Sequence, residues 1–268
     1  MLEAIFLGIL QGMTEFLPIS SSAHIRIAGE FLPSAQDPGA TFTAIMQIGT
    51  EIAVLLYFRH DIAAIIRGML RFIAGDRSEK LGFYIGMGSI PIFLLGFVFQ
   101  DLIRETFRSL WLISTALIIF GIALGILDRF GKNEKNLTQL NTRDSLLYGA
   151  AQALALIPGV SRSGATIAMG RALGYRREQA LRYSFLLAIP AVLGSGTYEL
   201  ANSFSEPTNN FSIIETLVAT SIAFAVGYVV IAWLMRFVAV RNFMPFVIYR
   251  VSLGTLVLIL LATGTINA

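Results

Sequence analysis

The chain has no cysteine, which excludes a disulfide framework and any thiolate metal site. Charge is scarce too: Lys, Arg, Asp and Glu make up 14% of the 268 residues, against about 25% in a soluble domain. With 55% hydrophobic residues and a mean hydropathy of +0.71, the composition is that of an integral membrane protein. The opening "MLEAIFLGIL" lacks a basic stretch and carries Glu3, so no cleaved signal peptide is expected. There is no basic tail and no aromatic–basic alternation, so no nucleic-acid partner is expected.

What the chain has in quantity is glycine, 24 residues of it. The spacings Gly8-x-x-x-Gly12 and Gly121-x-x-x-Gly125 suit close approach of membrane helices. Crossing the hydrocarbon core takes about 20 apolar residues. Segments 42–58, 82–100, 111–127, 180–201, 213–235 and 244–263 meet that approximately. Residues 2–32 and 146–173 are equally apolar but interrupted, by Pro18 with serines and by Pro158-Gly159 with Ser-Arg-Ser. Their halves are too short to span, so each is expected to be a re-entrant hairpin.

The two interruptions are alike. Gln11 stands nine residues before Ser20 in the first, and Gln152 nine before Ser161 in the second. Paired, broken hydrophobic segments in corresponding halves point to a site near the midplane of an inverted-repeat fold. Irregular backbone at that depth survives only where it is buried in protein or lines a cavity. The expected fold is therefore an all-α integral membrane protein with six transmembrane helices and two re-entrant hairpins. It forms a single membrane domain over 1–268, the first repeat about 1–127 and the second about 146–268.

Orientation follows from Lys and Arg. The links 59–81, 128–145, 174–179 and 236–243 carry Arg59, Arg67, Arg71, Arg77, Lys80, Arg129, Lys132, Lys135, Arg143, Arg176, Arg177, Arg236 and Arg241. The opposite links carry Arg104 and Arg108. The basic side is expected to be cytoplasmic, with both termini extracytoplasmic, Gln36 outside and Asn133 inside.

The candidate chemistry is in two motifs. In "QGMTEFLPISSSAH", Gln11 and Glu15 share a helix face and offer oxygen ligands to a hard cation such as Mg²⁺ or Ca²⁺. Ser20, Ser21 and Ser22 supply hydroxyls, and His24 follows Ser21 at a spacing suited to activating a nucleophile. Capping is the plainer role for the serines. In "PGVSRSGAT", Gly159 and Gly164 free the backbone, Ser161 and Ser163 donate hydrogen bonds, and Arg162 offers a planar fork suited to phosphate. The plainer role for Arg162 is a salt bridge to Glu15 or Glu51. Gln47 and Glu51 repeat the Gln11–Glu15 spacing. Arg250 either lines the site or snorkels to the surface, and His60 reads as interfacial.

Together these two motifs, with "FTAIMQIGTEIAVLLYF" and "FMPFVIYR", resemble the undecaprenyl-diphosphate phosphatase family, known also for bacitracin resistance. The resemblance covers essentially the whole chain. It implies a multi-pass enzyme of the bacterial plasma (inner) membrane that converts undecaprenyl diphosphate to the monophosphate carrier of cell-wall synthesis. The family's (Glu/Gln)-x-x-x-Glu motif falls on Gln11 and Glu15, its serine and histidine on Ser21 and His24, and its phosphate-binding arginine on Arg162. Position 11 is Gln where some members have Glu, Glu51 stands where many have an apolar residue, and Ala23 replaces a frequent Gly before His24. In the expected reaction Ser21, or a water in its place, attacks the terminal phosphorus and His24 manages the proton; the sequence does not decide whether a phosphoserine forms. Arg162, with Ser161, Ser163, Ser20, Ser22 and Gly159 around it, binds the phosphates. A divalent cation sits near Glu15 and Gln11, with Glu51 as a further candidate ligand. The partners are the lipid substrate and the bilayer, and a homodimer is compatible with the sequence. The rival class is a transporter or flippase of a polyprenyl phosphate lipid, which would need the arginine but not the serine–histidine pair.

Overall fold

The computed structural model describes residues 1–32, 40–75, 80–99, 109–203 and 211–267; Gln36, Arg77, Arg104 and Arg108 lie outside the described residues. Every element described is helical: α1 (Leu2–Thr14), α2 (Ser21–Gly29), α3 (Ala40–Tyr57), α4 (Arg59–Ile73), α5 (Leu81–Val98) and α6 (Leu110–Phe130) come first. Then follow α7 (Thr142–Ala153), α8 (Arg162–Ala172), α9 (Arg177–Ser203), α10 (Ile213–Val240) and α11 (Met244–Ala262). Short 3₁₀ turns at Leu137–Gln139 and Leu154–Leu156 flank α7. Five of these helices, α5, α6, α9, α10 and α11, are long and apolar enough to cross a membrane. The expected span 42–58 falls on α3, whose apolar part Phe42–Tyr57 is shorter. Residues 59–73, expected as part of a link, form an amphipathic helix.

The two interruptions have a common local cause. Proline lacks an amide hydrogen and restricts the residue before it; α5 and α9 accommodate Pro91 and Pro190, but at Pro18 and Pro158, each followed by a capping serine, no helix continues. The chain restarts at a serine cap in each case. Ser20 and Ser161 accept hydrogen bonds from Ala23 N–H and Gly164 N–H. Both serines are left-handed, at φ 74° and 69°, a conformation that costs a non-glycine residue about 1–3 kcal/mol and needs support from its surroundings.

Packing is reciprocal between the halves. Helix α1 lies on α10 while α7 lies on α5; α3 packs against both α9 and α10, and α6 against α11. Glycine makes the tightest of these crossings. A methyl on Gly8 would stand 2.5 Å from the Ala219 carbonyl oxygen, and one on Gly149 only 2.1 Å from that of Gly88. Gly121 and Gly125 likewise face Arg250 and Val247 of α11.

The four basic links gather at one end of the bundle. Asp128 accepts from Arg171 Nε at 2.9 Å, Arg177 Nε at 2.7 Å and the Phe243 amide at 3.1 Å. Lys135 bridges to Tyr175 through the backbone, and Arg182 pairs with Asp61 of α4. At the far end the N-terminal ammonium pairs with Glu215, and Phe42 stacks on Phe211.

Gly8→Ala and Gly149→Ala should each lower stability by roughly 1–3 kcal/mol through overpacking. Gly86→Ala, where a methyl meets nothing within 4 Å, should be neutral or stabilising. Thermal midpoints in detergent micelles would distinguish the two outcomes.

Candidate active site

The restarts of α2 and α8 bring two helix N-termini to one place, and the free first-turn amides of such ends favour anions. Ser21 is the first residue of α2 and Arg162 the first of α8. Each follows its capping serine, so the two occupy equivalent positions in the two interruptions. Both bind the same carboxylate. Glu15 Oε2 accepts from Ser21 Oγ at 2.6 Å and from Gln11 Nε2 at 2.8 Å, while Oε1 accepts from Arg162 Nη2 at 2.6 Å. The salt bridge weighed for Arg162 thus forms with Glu15. It engages one nitrogen, leaving the rest of the guanidinium without a partner among the described residues, and the side chain is 20% exposed.

The remaining serines divide their work. Ser20 and Ser161 are caps. Ser22 is exposed and within 3.2 Å of Ser20 Oγ. Ser163 Oγ donates to the Leu17 carbonyl at 3.1 Å, tying the second hairpin to the first. Gly159 is at φ +93°, and a methyl there would stand 2.4 Å from the Ile113 carbonyl oxygen. The backbone freedom expected at this position is therefore used.

His24 does not meet Ser21. Its Nδ1 lies 2.7 Å from the Ser20 carbonyl oxygen, which can only accept, so Nδ1 carries the hydrogen. Nε2 is then the acceptor and takes the Tyr249 hydroxyl at 2.7 Å. Although residues 21 and 24 lie on neighbouring positions of the helix surface, the serine hydroxyl turns back to Glu15 and both imidazole nitrogens are taken by other partners. The group that Ser21 meets is a carboxylate. Tyr249, which sequence reasoning passed over inside "FMPFVIYR", is 225 residues from its histidine, and no local spacing points to it.

Arg250 neither snorkels nor reaches the carboxylate. Its exposure is 0%. Its Nη1 donates to Pro18 O at 3.0 Å, Nη2 to Gly159 O at 2.9 Å and Val160 O at 3.0 Å, and Nε to Leu117 O at 3.2 Å. One guanidinium therefore fixes the carbonyls just ahead of both strained serines.

The donor set suits a hard cation. Gln11 Oε1 and Glu51 Oε1 are buried without a partner among the described residues, and Glu51 is near enough to feel the charges of Arg162 and Glu15. No three His, Cys, Asp or Glu side chains converge among the described residues. A cation here would take carboxylate and amide oxygens together with water or phosphate oxygens, the habit of Mg²⁺.

The sequence pattern of the Bacitracin resistance protein BacA family matches residues 4–256. The chain is 56% identical over 274 positions to the undecaprenyl-diphosphatase of Micrococcus luteus, covering 100% of this chain and 99% of that one. It is 54% identical to the undecaprenyl-diphosphatase of a Nocardioides species, covering 100% and 98%. It is 55% identical to undecaprenyl-diphosphatase 2 of Agrobacterium fabrum, again covering 100% and 98%.

Replacing Arg250 by methionine leaves four buried carbonyls without this donor. At about 1 kcal/mol or more for each unmet group, the loss should be on the order of 3 kcal/mol or above. Arg250→Lys should recover less than half, because a point ammonium cannot reach both hairpins at once. Unfolding midpoints in a dodecyl sulfate titration would measure both; two unchanged midpoints would show that Arg250 is not the pin.

Proposed function

The chain belongs to the Bacitracin resistance protein BacA family, and on that premise we propose that it is an undecaprenyl-diphosphatase of the bacterial plasma membrane. The observation that carries the reading is the carboxylate shared by Ser21 and Arg162 where the two interruptions meet. It combines a hydroxyl with a base at 2.6 Å and a cation with unused donors, which is the inventory phosphoryl transfer asks for.

The terminal phosphate sits between the N-termini of α2 and α8. Arg162 turns its unused nitrogens to the phosphate oxygens, and the first-turn amides of both helices add donors. Ser21 Oγ attacks the terminal phosphorus as its proton passes to Glu15 Oε2. The bond from phosphorus to the bridging oxygen breaks, and undecaprenyl phosphate leaves with the electron pair. Water then cleaves the phosphoserine, releasing phosphate and restoring the Ser21 hydroxyl. His24 and Tyr249 form a second proton-exchanging pair, placed to serve the leaving lipid phosphate or the incoming water. A divalent cation, Mg²⁺ or Ca²⁺, would supply charge neutralisation when bound; Glu15, Gln11 and Glu51 are the residues to hold it.

The reciprocal packing of α1 on α10 and α7 on α5 supports two inverted repeats, 1–127 and 146–268, with α1–α2 and α7–α8 as the re-entrant hairpins. The clustering of four basic links at one end supports a cytoplasmic location for that end and extracytoplasmic termini. The same reciprocity is typical of carriers, which keeps lipid flipping as the second reading. A flippase, however, has no use for a serine hydroxyl held on a carboxylate.

Phosphate release from undecaprenyl diphosphate by the purified protein tests the reading. Ser21→Ala should lose at least about a thousandfold in rate. Arg162→Lys keeps charge but not the fork, and should lose on the order of 3 kcal/mol of transition-state stabilisation, about a hundredfold. A lysine variant retaining more than about a third of the wild-type rate would reduce Arg162 to the partner of Glu15. For the cation, Glu51→Gln should raise the metal concentration needed for half-maximal binding severalfold in a calorimetric titration, with expression unchanged. An identical titration curve would make Glu51 a structural residue.

A further inference from the structure

Helix α4 is explained neither by the site nor by the spans. It follows α3 after one residue and ends before α5 begins at Leu81, so it lies at the end of the bundle where the basic links gather. Its 15 residues reach about 22 Å, short of the roughly 30 Å hydrocarbon core. Its surface divides into three faces. Ile62 and Ile65 pack on the core, Phe72 stacks on Phe83, and Asp61 pairs with Arg182. Ile66, Met69, Leu70 and Ile73 form a second face that is exposed, Leu70 at 62% and Ile73 at 77%. His60, Arg67 and Arg71 form the third, by their helical spacing.

The sequence around it carries a basic excess. Between 59 and 80 stand Arg59, Arg67, Arg71, Arg77 and Lys80 against Asp61, Asp76 and Glu79; Arg77, Asp76 and Glu79 lie outside the described residues. The one described acid, Asp61, is taken by Arg182 of α9. Among the described residues, Arg59 and Arg67 bond only to backbone carbonyls of their own turn, Leu56 and Ala63. Beside α4 opens a cavity of about 660 Å³, lined among others by Asp61, Ile65, Gly68, Lys80, Tyr84 and Gln139. Lys80 reaches this cavity without an acidic partner among the described residues.

We propose that α4 lies in the plane of the membrane surface and that, with Lys80 at the adjoining cavity, it binds anionic phospholipid headgroups. An exposed apolar face bordered by basic residues, fixed between α3 and the membrane-crossing α5, is the arrangement of an interfacial helix. Arg59, Arg67 and Lys80, without an acidic partner among the described residues, complement the negative leaflet, so lipid is the occupant that meets both faces together. The bound lipid anchors the α4 end of the bundle and is distinct from the substrate, which is held between α2 and α8.

The chain has no cysteine, so single spin labels can be introduced without background. In vesicles of phosphatidylcholine with phosphatidylglycerol, labels at Leu70 and Ile73 should be relaxed by oxygen and shielded from an aqueous nickel chelate. A label at His60 should show the reverse. Chelate access at Leu70 and Ile73, or dipolar broadening between Leu70 labels as a second copy would produce, would overturn the placement. Native mass spectrometry should show phosphatidylglycerol retained over phosphatidylcholine. Arg67→Glu and Lys80→Glu should each cut that preference by about fivefold, with phosphate release in neutral detergent unchanged. Unchanged lipid preference in both variants would refute the headgroup site even if the helix lies in the interface.

Discussion

A single buried guanidinium holds this architecture together. Arg250 sits within the first two turns of α11 and donates to the carbonyls of Pro18, Gly159 and Val160, the residues just ahead of the two left-handed serines. A proline-broken helix inside a membrane exposes carbonyls that lipid cannot satisfy, each costing several kcal/mol. Arg250 satisfies those of both hairpins at once. In return the carbonyls solvate a charge that has no carboxylate beside it among the described residues. The strain at Ser20 and Ser161 persists because the chain on their N-terminal side is fixed.

From that constraint the site follows. With both chains turned at the same point, α2 and α8 begin facing each other, and their first residues become neighbours of Glu15. The carboxylate is shared between a hydroxyl and a guanidinium, each contact at 2.6 Å. Glu15 is thereby held against both the Ser21 hydroxyl and the Arg162 guanidinium, the contact on which the proposed reaction rests. Ser163 bonding to Leu17 across the junction sets the spacing of the two tips, and Gly159 and Gly164 let them close. A methyl on Gly164 would stand 2.7 Å from Arg250 Nη1. The small residues of the second motif serve the pin as much as the substrate.

Much of this was legible in the sequence. Hydrocarbon thickness alone divides the chain at positions close to the observed helices, because the spans differ so sharply from their links. The two interruptions were visible as prolines followed by serines, and Gln11, Glu15, Ser21, His24 and Arg162 all fall at or beside their junction. What local spacing could not show was direction. Ser21 and His24 are near in sequence, but the helix start points one towards Glu15 and the other towards Tyr249. Arg250 and Tyr249 are neighbours on α11 whose partners lie on other segments, and their roles depend entirely on tertiary packing. Helix α4 was hidden because its arginines mark it as a link by composition, although its apolar residues recur at helical spacing.

The proposed reaction has two displacements at phosphorus: Ser21 first, then water. Each inverts configuration, so the account predicts net retention. The direct measurement uses undecaprenyl diphosphate whose terminal phosphorus is a chiral, isotopically labelled thiophosphate, hydrolysed in water carrying a second oxygen isotope. Retention in the released thiophosphate is the expected result. Inversion would mean that water attacks the phosphorus directly, leaving Ser21 to position that water, and would contradict the covalent route.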